Sequence, residues 1–366
     1  MTTRKIRYME WVKLKPRAEY ELGGSSVAQV KMSELPEARD AVEINDFNLY
    51  GYRPLLQQIA QLYDVEPEQV VTAPGTSMAN YLAYAALIGP GDEVLVEEPA
   101  YEPLLSIAEL IGARIVRFAR PFERRFEIDL DDLSSKLTEK TRLVSLTNLH
   151  NPSGVLSSQE VIREVGRLAK RVGAHVVVDE VYLDFMFEQR PPSAVHLGDN
   201  IVVTSSLTKA YGFDGLRCGW ILAPPEIAKT IWRLQDFYGV NGAVPAERVA
   251  TVALANIGRF QERSRRAVES NRKLVDAFMD VNRARLSWVR PDYGPVAFPR
   301  LQNGEDGWQF AERLYRDYST RVIPGGFFEM PQHFRIGFGG DPAKLECGLG
   351  RVAQALSEPI GSPSAA

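Results

Sequence analysis

The sequence predicts an α/β fold: a large, mostly parallel sheet with helices on both faces, joined to a smaller α+β domain. Three observations lead there. Helix-like and strand-like patterns alternate from Arg53 to Leu222, as in a parallel sheet crossed by helices. A purely helical stretch follows, from Pro225 to roughly Asp280. After Leu286 short strands mix with helices. With 366 residues, 45% hydrophobic and 25% charged, the chain has ordinary globular composition and room for one large and one small domain.

The elements follow in order. Arg53–Tyr63 reads as a helix, Gln69–Thr72 as a short strand and Thr76–Ile88 as a helix. Gly89-Pro90-Gly91 stops that helix before a strand at Glu93–Val96. Leu104–Ile111 is helical, Arg114–Phe118 and Arg142–Leu146 are strands, and Ser158–Arg171 is helical. His175-Val176-Val177-Val178 is a buried-type strand ending at Asp179. Asn200–Thr204 and Cys218–Leu222 are further strands. The smaller domain has strands at Val296–Phe298, Arg321–Ile323 and Phe334–Phe338, with helices at Gly307–Tyr318 and Pro342–Leu356. The tail Ser357–Ala366, rich in Pro, Ser, Gly and Ala, is expected to be mobile.

Composition removes several classes. A net charge of -4 gives no electrostatic case for nucleic acid or an anionic membrane. Two cysteines, Cys218 and Cys347, make neither a disulfide framework nor a zinc set. The start, Met1 to Tyr8, is charged without an apolar core behind it and does not read as a secretory signal. The longest apolar stretch, Tyr81–Ile88, is far too short to span a bilayer. The expected location is the cytoplasm.

In such sheets, ligands bind outside the carboxyl ends of the strands. The candidate residues collect there. Ser205-Ser206-Leu207-Thr208-Lys209 carries an amine that can form a Schiff base with an aldehyde. Ser206 and Arg217 supply the hydroxyl and permanent cation that a phosphate needs. Pro74-Gly75-Thr76-Ser77 lies between a strand and a helix, where free N–H groups make an anion site. Alone it is also an ordinary helix cap. Tyr101, after the strand ending at Val96, offers an aromatic face to a flat ring. Asn151, in His150-Asn151-Pro152-Ser153-Gly154, can donate to a phenolate-type oxygen, although Asn-Pro is also a common turn starter. His150 reads as a structural neighbour. Asp179 at a strand end can keep a pyridine nitrogen protonated, and Tyr182 three residues on can donate to a ring oxygen. Apolar residues followed by Asp179-Glu180 also fit a nucleotide hydrolase, but its Gly-x-x-x-x-Gly-Lys-Ser/Thr loop occurs nowhere in the chain.

Each signal is weak alone; their order is specific. It runs phosphate loop, stacking aromatic, Asn-Pro-x-Gly, Asp-x-x-Tyr, Ser-x-x-Lys, then Arg eight residues after the lysine. In this the sequence resembles the class I/II aminotransferases of fold type I, which depend on pyridoxal 5'-phosphate. The resemblance runs from about Leu22 to Gly350. It implies that Lys209 carries the cofactor's aldehyde and that Asp179 faces the pyridine nitrogen. Asn151 and Tyr182 would hold the ring oxygen, and Tyr101 would stack on the ring. Gly75, Thr76, Ser77, Ser206 and Arg217 would hold the phosphate. Arg335, in Phe334-Arg335-Ile336-Gly337, matches the arginine that grips the substrate carboxylate, with Asn151 beside it. The implied catalytic set is Lys209, Asp179 and Tyr182. The implied substrates are an L-amino acid and a 2-oxo acid, and the implied assembly is a homodimer with shared active sites.

The resemblance also implies a division into an N-terminal segment (1–45) packed on the small domain, a cofactor-binding domain (46–285) and a small C-terminal domain (286–366). There are departures. A family tyrosine that reaches the partner's phosphate is Asp46 here, with Tyr50 as a substitute. The family's Leu-Arg pair reads Leu55-Leu56. Leu22-Gly23-Gly24-Ser25-Ser26, where the family closes over substrate, suits a subgroup that includes capreomycidine synthase, which cyclises a hydroxyarginine. A cyclase, lyase or decarboxylase on the same fold is therefore an alternative outcome. So, from another class, is a non-catalytic pyridoxal-phosphate-binding protein. Side-chain contacts are expected among Tyr8, Tyr20, Arg53, Tyr211, Tyr238 and Arg300.

Overall fold

The structure, a computed structural model, describes residues 5–358. The chain enters through α1 (Arg7–Leu14), β1 (Tyr20–Glu21) and α2 (Arg53–Tyr63). The alternating region holds β2 (Val70–Pro74), α3 (Thr76–Leu87), β3 (Glu93–Glu98), α4 (Glu102–Ile111) and β4 (Arg114–Ala119). It continues through α5 (Leu130–Lys136), β5 (Thr141–Thr147), α6 (Gln159–Arg171), β6 (His175–Asp179), β7 (Ile201–Ser206) and β8 (Cys218–Leu222). The helical stretch divides into α7 (Pro225–Tyr238), α8 (Val244–Ala255) and α9 (Ile257–Val281). The C-terminal region contains β9 (Leu286–Ser287), β10 (Val296–Ala297), β11 (Arg300–Leu301), α10 (Gly307–Tyr318), β12 (Thr320–Arg321), β13 (Ile323–Pro324), β14 (Phe334–Gly337) and α11 (Pro342–Ser357).

Seven strands form one sheet in the order β2-β8-β7-β6-β5-β3-β4. Alternate residues face opposite sides of a strand, and the sheet buries both. Val70, Val144, Val176, Val178 and Val203 join the core under α2, α6, α8 and α9. Val71, Val94, Val96, Val177 and Val202 join a second core under α3, α4 and α7. This two-sided burial is why the strands read as apolar runs.

One strand departs from the parallel expectation. β8 is antiparallel to both β2 and β7. The reversal has a consequence for the site. All other strands point their carboxyl ends at one edge, and β8 brings its amino end, with Arg217, to that same edge. Pro74, Thr147, Asp179 and Ser206 end their strands there.

The expected strand Arg321–Ile323 is two short ones, because the chain changes partner at Val322. β12 pairs with β1, while β13 pairs with β14. Through β1 and the bond from Gly337 N–H to Leu22 O (2.6 Å), residues 20–22 are woven into the C-terminal sheets. The expected tail lies outside the described residues from position 359 onward. Helices α1 and α5 have no counterpart in the sequence reading. Among the described residues, no helix is long and apolar enough to cross a membrane.

Candidate active site

A cavity of about 600 Å³ opens at the carboxyl edge of the sheet, within the usual range for small-molecule sites. Thr76, Ser77, Tyr101, Asn151, Asp179, Tyr182, Lys209 and Arg217 line it. The three remaining expected residues adjoin it. Ser206 Oγ accepts from Thr76 Oγ1 at 2.8 Å, Gly75 lies against Arg217, and Arg335 sits behind Asn151. All eleven expected positions therefore converge, from segments spread over 260 residues between Gly75 and Arg335.

One end of the cavity is built for an anion. β2 ends at Pro74, and Gly75 turns the chain into α3 with φ 79°, a left-handed value natural to glycine. A Cβ there would stand 2.3 Å from Arg217 Nη2. No side chain caps the start of α3, so its first N–H groups remain free to meet a ligand. Among the described residues Arg217 donates only to backbone carbonyls, those of Asp214 and Pro74, both at 3.2 Å. Free helix N–H groups, two hydroxyls and an arginine without a carboxylate partner among the described residues fit a phosphate.

The floor holds an acid. Asp179 is buried, and its Oδ2 accepts from Asn80 Nδ2 at 2.8 Å while Oδ1 accepts from the Val181 N–H at 3.0 Å. Thr204 Oγ1 donates to Asn80 Oδ1 at 2.6 Å and so fixes the amide's orientation. Burial pushes the Asp179 carboxyl up to about 6, against the pull of Asn80 and Val181. A buried carboxylate held by neutral donors suits a cationic partner, such as a protonated ring nitrogen.

Lys209 lies across the cavity, half-buried, and its Nζ donates to Ser25 Oγ at 2.9 Å. Burial, and then the charge of Arg335, lowers its amine to about 8. That keeps a useful neutral fraction near physiological pH, as a nucleophilic lysine requires. Tyr182 is buried, and burial raises its hydroxyl to about 12, so it is a donor at neutral pH.

Arg335 is fully buried. Nη1 donates to Asn151 Oδ1 at 2.9 Å, and Nη2 donates to the Tyr8 hydroxyl at 2.9 Å and to Gly23 O at 3.3 Å. Nε has no partner, and no carboxylate pairs with the guanidinium among the described residues. Burying a charge among neutral acceptors is costly. The arrangement fits a carboxylate brought by a ligand. Arginine can only donate, so Asn151 must offer it the carbonyl and turn its N–H₂ elsewhere.

The Asn151 turn is braced from below. Glu97 and Arg120 form a fully buried ion pair at 2.7 Å. Glu97 also accepts from Thr147 N–H and Oγ1, and Thr147 Oγ1 accepts from Asn151 N–H at 3.0 Å. His150 bridges Pro99 O and Ser153 Oγ, a structural part.

Of the six side chains expected near a substrate, Tyr8 alone contacts the site residues directly. It meets Tyr101 edge-on, with ring centroids 5.6 Å apart. Tyr20 stands in β1, Tyr211 is buried, and Tyr238 meets Tyr81. Arg53 pairs with Glu68 and Arg300 with Glu123. Sequence reasoning missed Asn80, Thr147 and α1. Asn80 carried a usable signal, since it lies four residues after Thr76 and so on the same helix face.

Residues 18–352 match the family described as aminotransferase class I and II. The chain is 32% identical over 288 residues to capreomycidine synthase of Streptomyces vinaceus, covering 78% of this chain and 74% of that protein. It is 26% identical over 311 residues to aspartate aminotransferase of Streptomyces avermitilis, covering 81% and 76%. The crystal structure of a PLP-dependent aminotransferase from Streptococcus suis superposes with a TM-score of 0.91 at 26% identity, covering 97% of this chain and 98% of that one. The matched span takes in the whole seven-stranded sheet and Arg335, and the chain belongs to the aminotransferase class I and II family.

Proposed function

We propose that Lys209 carries the aldehyde of the cofactor and that Arg335 holds the α-carboxylate of the amino acid. The chain is a pyridoxal-phosphate-dependent aminotransferase, moving an amino group between an L-amino acid and a 2-oxo acid. The observation that carries the residue assignment is the fully buried Arg335, bonded only to neutral groups and set beside a cavity that contains Lys209 and Asp179.

When bound, pyridoxal phosphate supplies an aldehyde for the amino group and a ring that stores the electron pair left as the Cα proton departs. The chain's residues do the rest. Gly75, Thr76, Ser77, Ser206 and Arg217 anchor the phosphate. Asp179 faces the ring nitrogen and favours its protonated form. Asn151 and Tyr182 donate to the ring oxygen, and Tyr101 stacks on the ring. Arg335 grips the substrate carboxylate with two N–H groups, which fixes the direction of the Cα–H bond. The Lys209 amine, once free, would act as the base that takes the Cα proton and as the acid that hands it on.

The same reading keeps three divisions, 1–45, 46–285 and 286–366. Support comes from the pairing of residues 20–22 with the C-terminal sheets. It includes a homodimer, supported by the exposed apolar residues Phe47, Leu49, Phe237 and Val240. Two unpaired cysteines support a cytoplasmic setting.

Turnover tests the reaction. The holoenzyme is given single L-amino acids with pyruvate, oxaloacetate or 2-oxoglutarate. At least one pair should exchange its amino group stoichiometrically. A second reading, ring closure of an amino acid, is favoured by the 32% identical relative. It would consume the amino acid with no need for a 2-oxo acid, and that result would replace the first reading.

A further inference from the structure

Helix α1 brings a charge to the cavity that the chemistry above leaves unused. Ile6, Met9 and Lys13 line the cavity. Met9 and Lys13 are four residues apart and share a helix face. Met9 Sδ accepts from the Tyr101 hydroxyl at 3.7 Å, which ties that face to the site. The helix is fixed at its start, because Glu102 accepts from the N–H groups of Arg7 and Tyr8 at 3.0 and 2.6 Å.

The lysines around α1 differ in their partners. Lys5 pairs with Glu10 and Lys15 with Glu312. Lys13 has no carboxylate partner among the described residues. The charges lining the cavity are those of Lys13, Lys209, Arg217 and Asp179. Arg217 is assigned to the phosphate, Lys209 to the aldehyde, Asp179 to the ring nitrogen, and Arg335 behind them to the α-carboxylate. One cation is left over, that of Lys13, an exposed side chain on the α1 side of the cavity.

We propose that Lys13 receives the distal acidic group of the substrate, so that the enzyme selects dicarboxylic amino and 2-oxo acids. This rests on the reading of the site given above. An acidic side chain reaching the α1 wall would gain a charge-assisted contact. A guanidino or amino side chain would meet a like charge there, with Asp179 already engaged at the floor by Asn80 and Val181. An apolar side chain would gain nothing from Lys13.

The test uses holoenzyme and its Lys13→Gln, Lys13→Arg and Lys13→Glu variants. Calorimetry compares succinate with butyrate, which share one carboxylate and differ in the second. Kinetics compare L-glutamate with L-norvaline. Wild type should bind succinate roughly tenfold or more tighter than butyrate, the effect of one hydrogen bond to a charged group. Lys13→Gln should erase that preference and lower the glutamate-to-norvaline ratio of kcat/KM by a similar factor. Lys13→Arg should keep most of both, and Lys13→Glu should reverse the preference. A wild type with no preference, or a Lys13→Gln variant that keeps it, overturns the proposal. If the reading beneath it fails, the signature differs: neither acid binds, and the proposal falls with it.

Discussion

Arg335 Nη1 donates to Asn151 Oδ1 at 2.9 Å, joining the C-terminal sheet to the turn after β5. The bond couples two assigned tasks, gripping the substrate carboxylate and contacting the cofactor ring oxygen. It also orients the amide, since the arginine can accept nothing.

Replacing Arg335 by alanine should therefore do more than remove one contact. It should cost roughly 2–5 kcal/mol in kcat/KM. The loss should be shared by every α-amino acid, because all present the same carboxylate. Arg335→Lys should recover little, since a point charge cannot reproduce the paired N–H groups. Steady-state kinetics on several donors check this. A loss confined to one substrate would mark Arg335 as a side-chain contact instead.

Asp179 gives a pH prediction for the cofactor-free protein. Its carboxyl is raised from 3.8 to about 6 by burial. The stability linked to its neutral form is thus full below about pH 4 and lost as pH rises through about 6. Asp179→Asn removes that titration. Relative to wild type, the variant should gain roughly 2–3 kcal/mol between pH 4 and pH 7. Denaturant melts of both apoproteins across that range measure it. In the holoenzyme the same change should cut turnover by orders of magnitude while the cofactor stays bound.

Cofactor retention separates the phosphate end from the ring end. Arg217→Ala should weaken binding by about 1.5–3 kcal/mol, the loss of a charged hydrogen bond. Gly75→Ala should weaken it as well, because the added Cβ would sit 2.3 Å from Arg217 Nη2 at a φ of 79°. Equilibrium dialysis of the cofactor reports both. Unchanged retention in the two variants would move the phosphate elsewhere.

Much of this site was legible because its residues follow strand ends. The runs ending at Pro74, Thr147, Asp179 and Ser206 announce a sheet edge, and the polar residues after them announce the site. Lys209 and Arg217 stood in one continuous stretch. Tyr8 was named among the side-chain contacts, but Lys13 and helix α1 were not legible, because the importance of so short a helix lies in where it docks. The antiparallel course of β8 was hidden for a related reason. A strand buried on both faces reads the same in either direction. Asn80 and Thr147 act through Asp179 and Asn151, and such support is set by tertiary contact.

The dimer prediction rests on two adjoining segments. Phe47 is 79% exposed and Phe237 is 81% exposed. Their segments are joined by Asn48 Nδ2 donating to Gly242 O at 3.3 Å and by Tyr50 stacking on Trp232 at 6.1 Å. Glu247 anchors the first segment, accepting from Asn48, the Tyr52 N–H and Thr72. Asp46, at the family's tyrosine position, pairs instead with Arg248. Light scattering should give a dimer mass, and Phe237→Lys should shift it toward monomer. Mixed Lys209→Ala and Tyr50→Ala subunits should regain activity if Tyr50 acts across the interface. A stable, active wild-type monomer would contradict the shared site.

The most direct measurement is covalent. Holoenzyme is reduced with borohydride, digested and mapped by mass spectrometry. The cofactor's mass should appear on Lys209, the amine that burial and Arg335 hold down near 8. Lys209→Ala should lose the label, the yellow colour and turnover together. A label on any other lysine, or none on an active enzyme, would contradict the account.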